Sequence, residues 1–195
     1  MNRWLLIVLG AVASGLLVAA CSMGVSETQQ PAGLEPPSMM GPSTRNPTLE
    51  EYMEIAGPKA QKVAHGQLKL DGHPVSCGTR PTVMNADLDS WGGAFPGYVI
   101  LNPDRLNGLS TQVKFYVYYH ECGHQFIGAS ETKADCYSIR HGVKRGWLDE
   151  RGMNDICTFI SKLKGDGVHP PGTKRCKQMR QCYADALGKK RQASR

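Results

Sequence analysis

The chain has 195 residues, 41% of them hydrophobic and 21% charged, and a formal net charge of +6. This composition fits a globular core and excludes a wholly disordered chain, and the length suits one domain with a smaller appendage. The basic excess gathers near the C-terminus, in KRCKQMRQ and GKKRQASR. No zinc finger, RNA-binding signature or aromatic-interleaved basic patch accompanies it, so it reads as a solvated tail and not as a nucleic-acid surface.

At the N-terminus, MNRW carries one positive charge and LLIVLGAVASGLLVAA is an unbroken apolar run leading to Cys21. This is the layout of a secretory signal over residues 1–20, although the run approaches the length of a membrane span. Its ending, VAAC, resembles the bacterial lipobox. That resemblance implies cleavage before Cys21 and lipidation of its sulfur and amino groups. With Ser22 and not Asp in the next position, it also implies sorting to the outer membrane, facing the periplasm. Several acyl chains at about 0.8 kcal/mol per buried methylene suffice for a stable anchor.

Residues 21–47 are rich in Pro, Gly, Ser and Gln with few large apolar groups, which predicts a flexible tether. Thr48 with Glu51 is a capping-box pattern, so LEEYMEIA is a predicted helix interrupted by Gly57-Pro58. GQLKLDGHPVSC alternates about Asp71-Gly72 and predicts a hairpin. PTVMNADL and GYVILN read as short strands, with SWGGAFPG as a Gly-rich loop between them. From Ser110 the pattern is helical, although VKFYVYY alone suits a buried strand equally well. Further helices are predicted at 131–145, 149–164 and 173–188, with KGDGVHPPG as a loop. The expectation is an α+β domain over 48–188, a short sheet followed by helices, with a basic tail at 189–195.

Beyond Cys21 the chain holds Cys77, Cys122, Cys136, Cys157, Cys176 and Cys182. An even set in an oxidising compartment reads as up to three disulfides, whose pairing the sequence does not fix. A zinc ribbon would need two close CxxC pairs, and there are none.

Residues 120–124, HECGH, match HExxH. On a helix, His120 and His124 lie one turn apart on one face and can offer ring nitrogens to one cation. Glu121 sits beside them and can reach a water molecule, as the general base of a zinc hydrolase must. Gly128 is placed to end that helix and Ser130 to cap the next, so Glu131 enters its first turn as a third ligand. Asp135, four residues on, lies on the same face as an acceptor for a ligand histidine's other N–H. It is also the alternative third ligand.

HExxH followed by ETKAD is similar to the gluzincin metallopeptidases, nearest the CAAX-protease-like branch that includes envelope and heat-shock peptidases. The downstream VHPPGTKRCKQMR, with His169 and Arg175, matches the order of elements in that branch. The resemblance implies a zincin-like fold, Zn2+ on His120, His124 and Glu131, Glu121 as base, Asp135 behind the ligands, and His169 and Arg175 near the cleft. Here only six residues separate His124 from Glu131, whereas in that branch the third ligand lies far beyond the helix.

Other residues carry weaker signals. His169 can bond a developing oxyanion or be a loop histidine held by Pro170 and Pro171. Tyr137 and Arg140 can do the same work or serve packing and solubility. His65, His73 and His141 have no partner pattern. Cys122 points roughly 200° around the helix from His120, so it is expected to bridge to another element. By the zincin resemblance, GYVILN is the edge strand that pairs with an extended peptide. The expected function is a zinc metalloendopeptidase acting on peptides or unfolded envelope proteins. The alternative is a non-catalytic lipoprotein whose metal and disulfides brace the fold.

Overall fold

The computed structural model describes residues 45–193; Cys21, the leader and most of the tether lie outside them, as do residues 194 and 195. Among the described residues no helix is long and apolar enough to cross a membrane. The Thr48 hydroxyl accepts from the Glu51 N–H at 3.2 Å while the Glu51 carboxylate accepts from the Thr48 N–H at 2.8 Å. This reciprocal cap opens helix α1 (Leu49–Ala56). Strand β1 (Gln61–Val63) follows, then β2 (Lys69–Leu70) and β3 (His73–Pro74), which form a separate two-stranded ribbon. Its turn residues Asp71 and Gly72 have φ of 48° and 81°, the pair of positive values that a tight two-residue hairpin needs.

Strands β4 (Thr82–Met84), β5 (Gly92–Phe95) and β6 (Tyr98–Leu101) complete a four-stranded sheet in the order β1-β4-β6-β5. The sheet is mixed: β4 and β6 are parallel, and the other two pairings are antiparallel. The fold is α+β, as expected, but the edge is not where the sequence put it. GYVILN is β6, a central strand buried along its length, and the edge comes from the Gly-rich segment read as a loop. Strand β6 is apolar without alternation because both its faces are covered. Tyr98 and Ile100 pack toward α1, while Val99 and Leu101 join the main helical core.

A short helix α2 (Pro103–Leu106), capped by Asn102, leads into α3 (Thr111–Ile127). Val113 and Phe115 through His120 are all buried, which explains why VKFYVYY resembles a strand: this helix is covered almost all round. Helix α4 (Glu131–Arg145) matches its predicted span. Helix α5 (Glu150–Ile160) stops earlier than expected, and α6 (Gly172–Ala193) runs further, so residues 189–193 of the predicted tail are helical. The early stop follows from the chain's return. The Gly172 N–H bonds the Leu163 carbonyl at 2.9 Å, and a side chain at Gly172 would collide with the Ile160 carbonyl.

Among the described residues all six cysteines pair, as Cys77–Cys122, Cys136–Cys182 and Cys157–Cys176. The first ties α3 to the chain just past the β2–β3 ribbon, so Cys122 faces away from the two histidines, as its helical position requires. Asp135 meets Arg175 and Val143 meets Lys190, so α4 and α6 lie side by side in the same direction.

Candidate metal centre

Three elements bring the site together: α3 with His120, Glu121 and His124, the first turns of α4 with Glu131 and Asp135, and the loop before α6 with His169. Gly123 makes this possible. A methyl at Gly123 would lie 3.2 Å from the Ala134 Cα, so the two helices touch backbone to backbone. Gly128, at φ 71°, ends α3 and returns the chain at once. The short reach from His124 to Glu131 is therefore spanned by a tight helical corner.

His120, His124 and Glu131 each offer a ligand atom, all within 4.8 Å of one another. His120 Nε2 is 3.2 Å from His124 Nε2 and 3.1 Å from Glu131 Oε2. His124 Nε2 is 3.3 Å from Glu131 Oε1. The hydrogen-bond partners behind the rings fix what these atoms carry. His124 Nδ1 is 2.8 Å from the Gly128 carbonyl, which can only accept, so that nitrogen holds the proton. His120 Nδ1 lies 2.9 Å from Asp135 Oδ1, although not in line for a well-formed bond. In the neutral rings both Nε2 atoms then present bare lone pairs to each other and to a carboxylate. Glu131 Oε2 is itself buried without an aligned hydrogen-bond donor. Two ring nitrogens and a carboxylate oxygen that converge this closely are a donor set suited to a cation, and the residues fit one.

The titration behaviour follows. Burial opposes charging of His120, but the carboxylates of Asp135 and Glu131 outweigh it and push the ring up to about 9. Glu131 is desolvated too, yet the His120 and His124 rings beside it hold it well below the usual carboxylate range. His124 is raised by Glu131, against burial. The carboxylates thus favour positive charge at the two rings.

Asp135 is the hub behind the ligands. Its Oδ1 accepts from the Tyr116 hydroxyl at 2.6 Å and from Arg175 Nη2 at 2.7 Å, and its Oδ2 accepts from Arg175 Nε at 2.8 Å. Despite burial, Arg175 and His120 bring it down to about 2. Asp135 thus stands behind His120, and Glu131, not Asp135, is in the ligand group. Tyr116 was not singled out from the sequence. Its signal was its place one helical turn before His120, which puts it on the same face of α3.

Two cavities of about 610 and 860 Å3 meet over this group, sharing Gly92, His120, Glu121 and His169. Glu121 borders both, and burial raises its carboxyl above the usual range. Gly92 on the edge strand leaves room for it, a second residue the sequence reading passed over. His169 is half-exposed; its Nδ1 lies 2.9 Å from Asp166 Oδ2 and its Nε2 3.6 Å from Glu131 Oε2. Tyr137 and Arg140 line a separate groove between α4 and α6 that contains none of the ligand group. His141 packs its ring against Tyr119 instead of joining the centre. No known protein family, characterised protein or solved structure matches the chain.

Proposed function

We propose that the protein is a zinc-dependent metalloendopeptidase of the bacterial envelope. The observation that carries this reading is the convergence of His120 Nε2, His124 Nε2 and a Glu131 oxygen within 4.8 Å of one another, beside Glu121 in an open cleft. Four-coordinate zinc with bonds of about 2.0 Å sets neighbouring ligand atoms roughly 3.3 Å apart, close to the 3.1–3.3 Å separations found here. Two imidazoles and one carboxylate are a donor set that leaves a fourth position open, as catalytic zinc sites do. When bound, zinc supplies Lewis acidity toward a carbonyl and makes water acidic enough to ionise near neutral pH.

The chain's own residues do the rest. Glu121 takes the proton from the attacking water and returns it to the leaving amine; its raised pKa suits both duties. Asp135, braced by Arg175 and Tyr116, keeps the His120 proton on Nδ1 so that Nε2 remains a donor to the metal. His169 stands at the cleft beside Glu131, its ring oriented by Asp166, in position to bond a developing oxyanion. The substrate is a peptide or an unfolded envelope protein in extended form, paired with the outer edge of β5. Anchorage at Cys21 places the domain on the periplasmic side of the outer membrane.

Two measurements test this. Purified protein kept from chelators should carry near-stoichiometric zinc, and His120→Ala should lose it. Glu121→Gln should retain zinc and fold while peptide cleavage falls by about 10²- to 10⁴-fold. Cleavage by Glu121→Gln at the wild-type rate would remove the proposed base, and a protein that never takes up zinc would remove the centre.

A further inference from the structure

One stretch of chain forms a whole wall of the cleft. Phe159, Leu163, Asp166, His169 and Arg175 all line it, and all lie between Cys157 and Cys176, which are bonded to each other across 19 positions. The bridge closes the wall at its two ends, the last turn of α5 and the first turns of α6. Between them residues 164–168 are exposed, held chiefly by the bonds of Asp166 to the backbone of Val168 and His169 and to the His169 ring. Arg175, just before Cys176, sends two hydrogen bonds to Asp135, and Asp135 faces His120. A short path of contacts thus joins the bridge to a ligand: Cys176, Arg175, Asp135, His120. The other two bridges are buried at both cysteines, whereas Cys176 is partly exposed.

We infer that the Cys157–Cys176 bridge is a positioning element of the metal centre and that its thiol–disulfide state sets metal affinity. This rests on the metal-centre reading above. A dithiol reductant opens the bridge by exchange: the S–S bond breaks and two cysteine thiols form. The reductant gives up two electrons and two protons and becomes a disulfide. Once the bridge is open, the wall and the start of α6 are no longer ordered in advance, and metal binding must order them itself. Loss of support behind a ligand typically weakens metal binding about 10- to 100-fold.

The test compares the full-length oxidised protein with a Cys157→Ser/Cys176→Ser double variant, which has no freed thiols to bind zinc. Zinc affinity is read by competition with a chromophoric chelator, well below both melting midpoints. The expected result is a loss of about tenfold or more, with a cooperative unfolding transition retained. A bridge that only stabilises the fold would lower the melting midpoint and leave the affinity alone, and that result overturns the inference. Should the double variant not fold, the wild type is reduced under native conditions, the open bridge is mapped by mass spectrometry, and zinc release to excess chelator is timed. Faster release than from the oxidised protein supports the inference; an equal rate overturns it. Absence of zinc from the oxidised protein would instead overturn the metal-centre reading on which it stands.

Discussion

Gly123 and Ala134 hold α3 and α4 in direct contact: a methyl on Gly123 would lie 3.2 Å from the Ala134 Cα and 3.4 Å from its carbonyl oxygen. Glu131, one turn before Ala134, reaches the two histidines because the helices are this close. Gly123→Val is expected to destabilise the fold by about 1–3 kcal/mol through overpacking and to weaken zinc uptake by moving Glu131 away. Gly123→Ala should cost less, since the gain in helix propensity, roughly 1 kcal/mol, offsets part of the clash. Urea unfolding and metal content read the two effects, and wild-type zinc affinity in the valine variant would refute the link between helix contact and ligand placement.

Gly92 bears on the base in the same way. A methyl there would stand 2.8 Å from the Glu121 Cγ and 3.1 Å from Val117 Cγ1, so the carboxylate would have to turn out of its place. Gly92→Ala should therefore keep zinc while kcat for a peptide substrate drops by about 100-fold or more, the lower range for losing a general base. A normal kcat would show that Glu121 tolerates the shift.

Local signals were the readable ones. The Thr48–Glu51 cap, the Asp71-Gly72 turn and the corner at Gly128 each depend on a few neighbouring residues, and all fell where the sequence placed them. The ligand group was legible for the same reason, because its three members come from one helical corner. Long-range choices were not. Which strand forms the edge depends on β4 pairing with β6 across the sheet, and nothing within GGAF itself announces a strand. The cysteine count implied three bridges but not their partners. Tyr116, Gly92 and Gly123 matter only through what packs against them, and no short motif records that.

Arg175 balances a buried charge. Asp135 is 1% exposed, and removing the guanidinium leaves its carboxylate without its main counter-charge, a loss that typically costs about 3–5 kcal/mol. Arg175→Met should show a loss of that order in urea unfolding. Arg175→Lys should recover only part of it, because an ammonium cannot make the paired contact to both oxygens. The double variant Asp135→Leu/Arg175→Met should regain stability without regaining zinc affinity, since the acceptor behind His120 is gone. Equal stability of Arg175→Met and wild type would mean that Asp135 takes up a proton at little cost.

His141 gives the fold a distinct acid dependence. Its ring lies 3.9 Å from that of Tyr119, and its Nδ1 accepts a hydrogen bond from Trp147 Nε1 at 3.3 Å. Burial, with the nearby positive Arg145 and Lys144, lowers its pKa to about 4. The unfolded chain takes the proton near the ordinary value of about 6.5, so below that pH the unfolded state binds more protons than the folded one. The stability associated with a neutral His141 is therefore complete above 6.5, declines as the pH falls, and is gone below about 4. His141→Phe keeps a ring against Tyr119 but neither titrates nor accepts from Trp147. It should start less stable at pH 7 and lose stability less steeply than wild type between pH 6.5 and 4. Urea unfolding at pH 7, 6, 5 and 4 measures both slopes; parallel curves would show that protonation of His141 is not resisted by the fold.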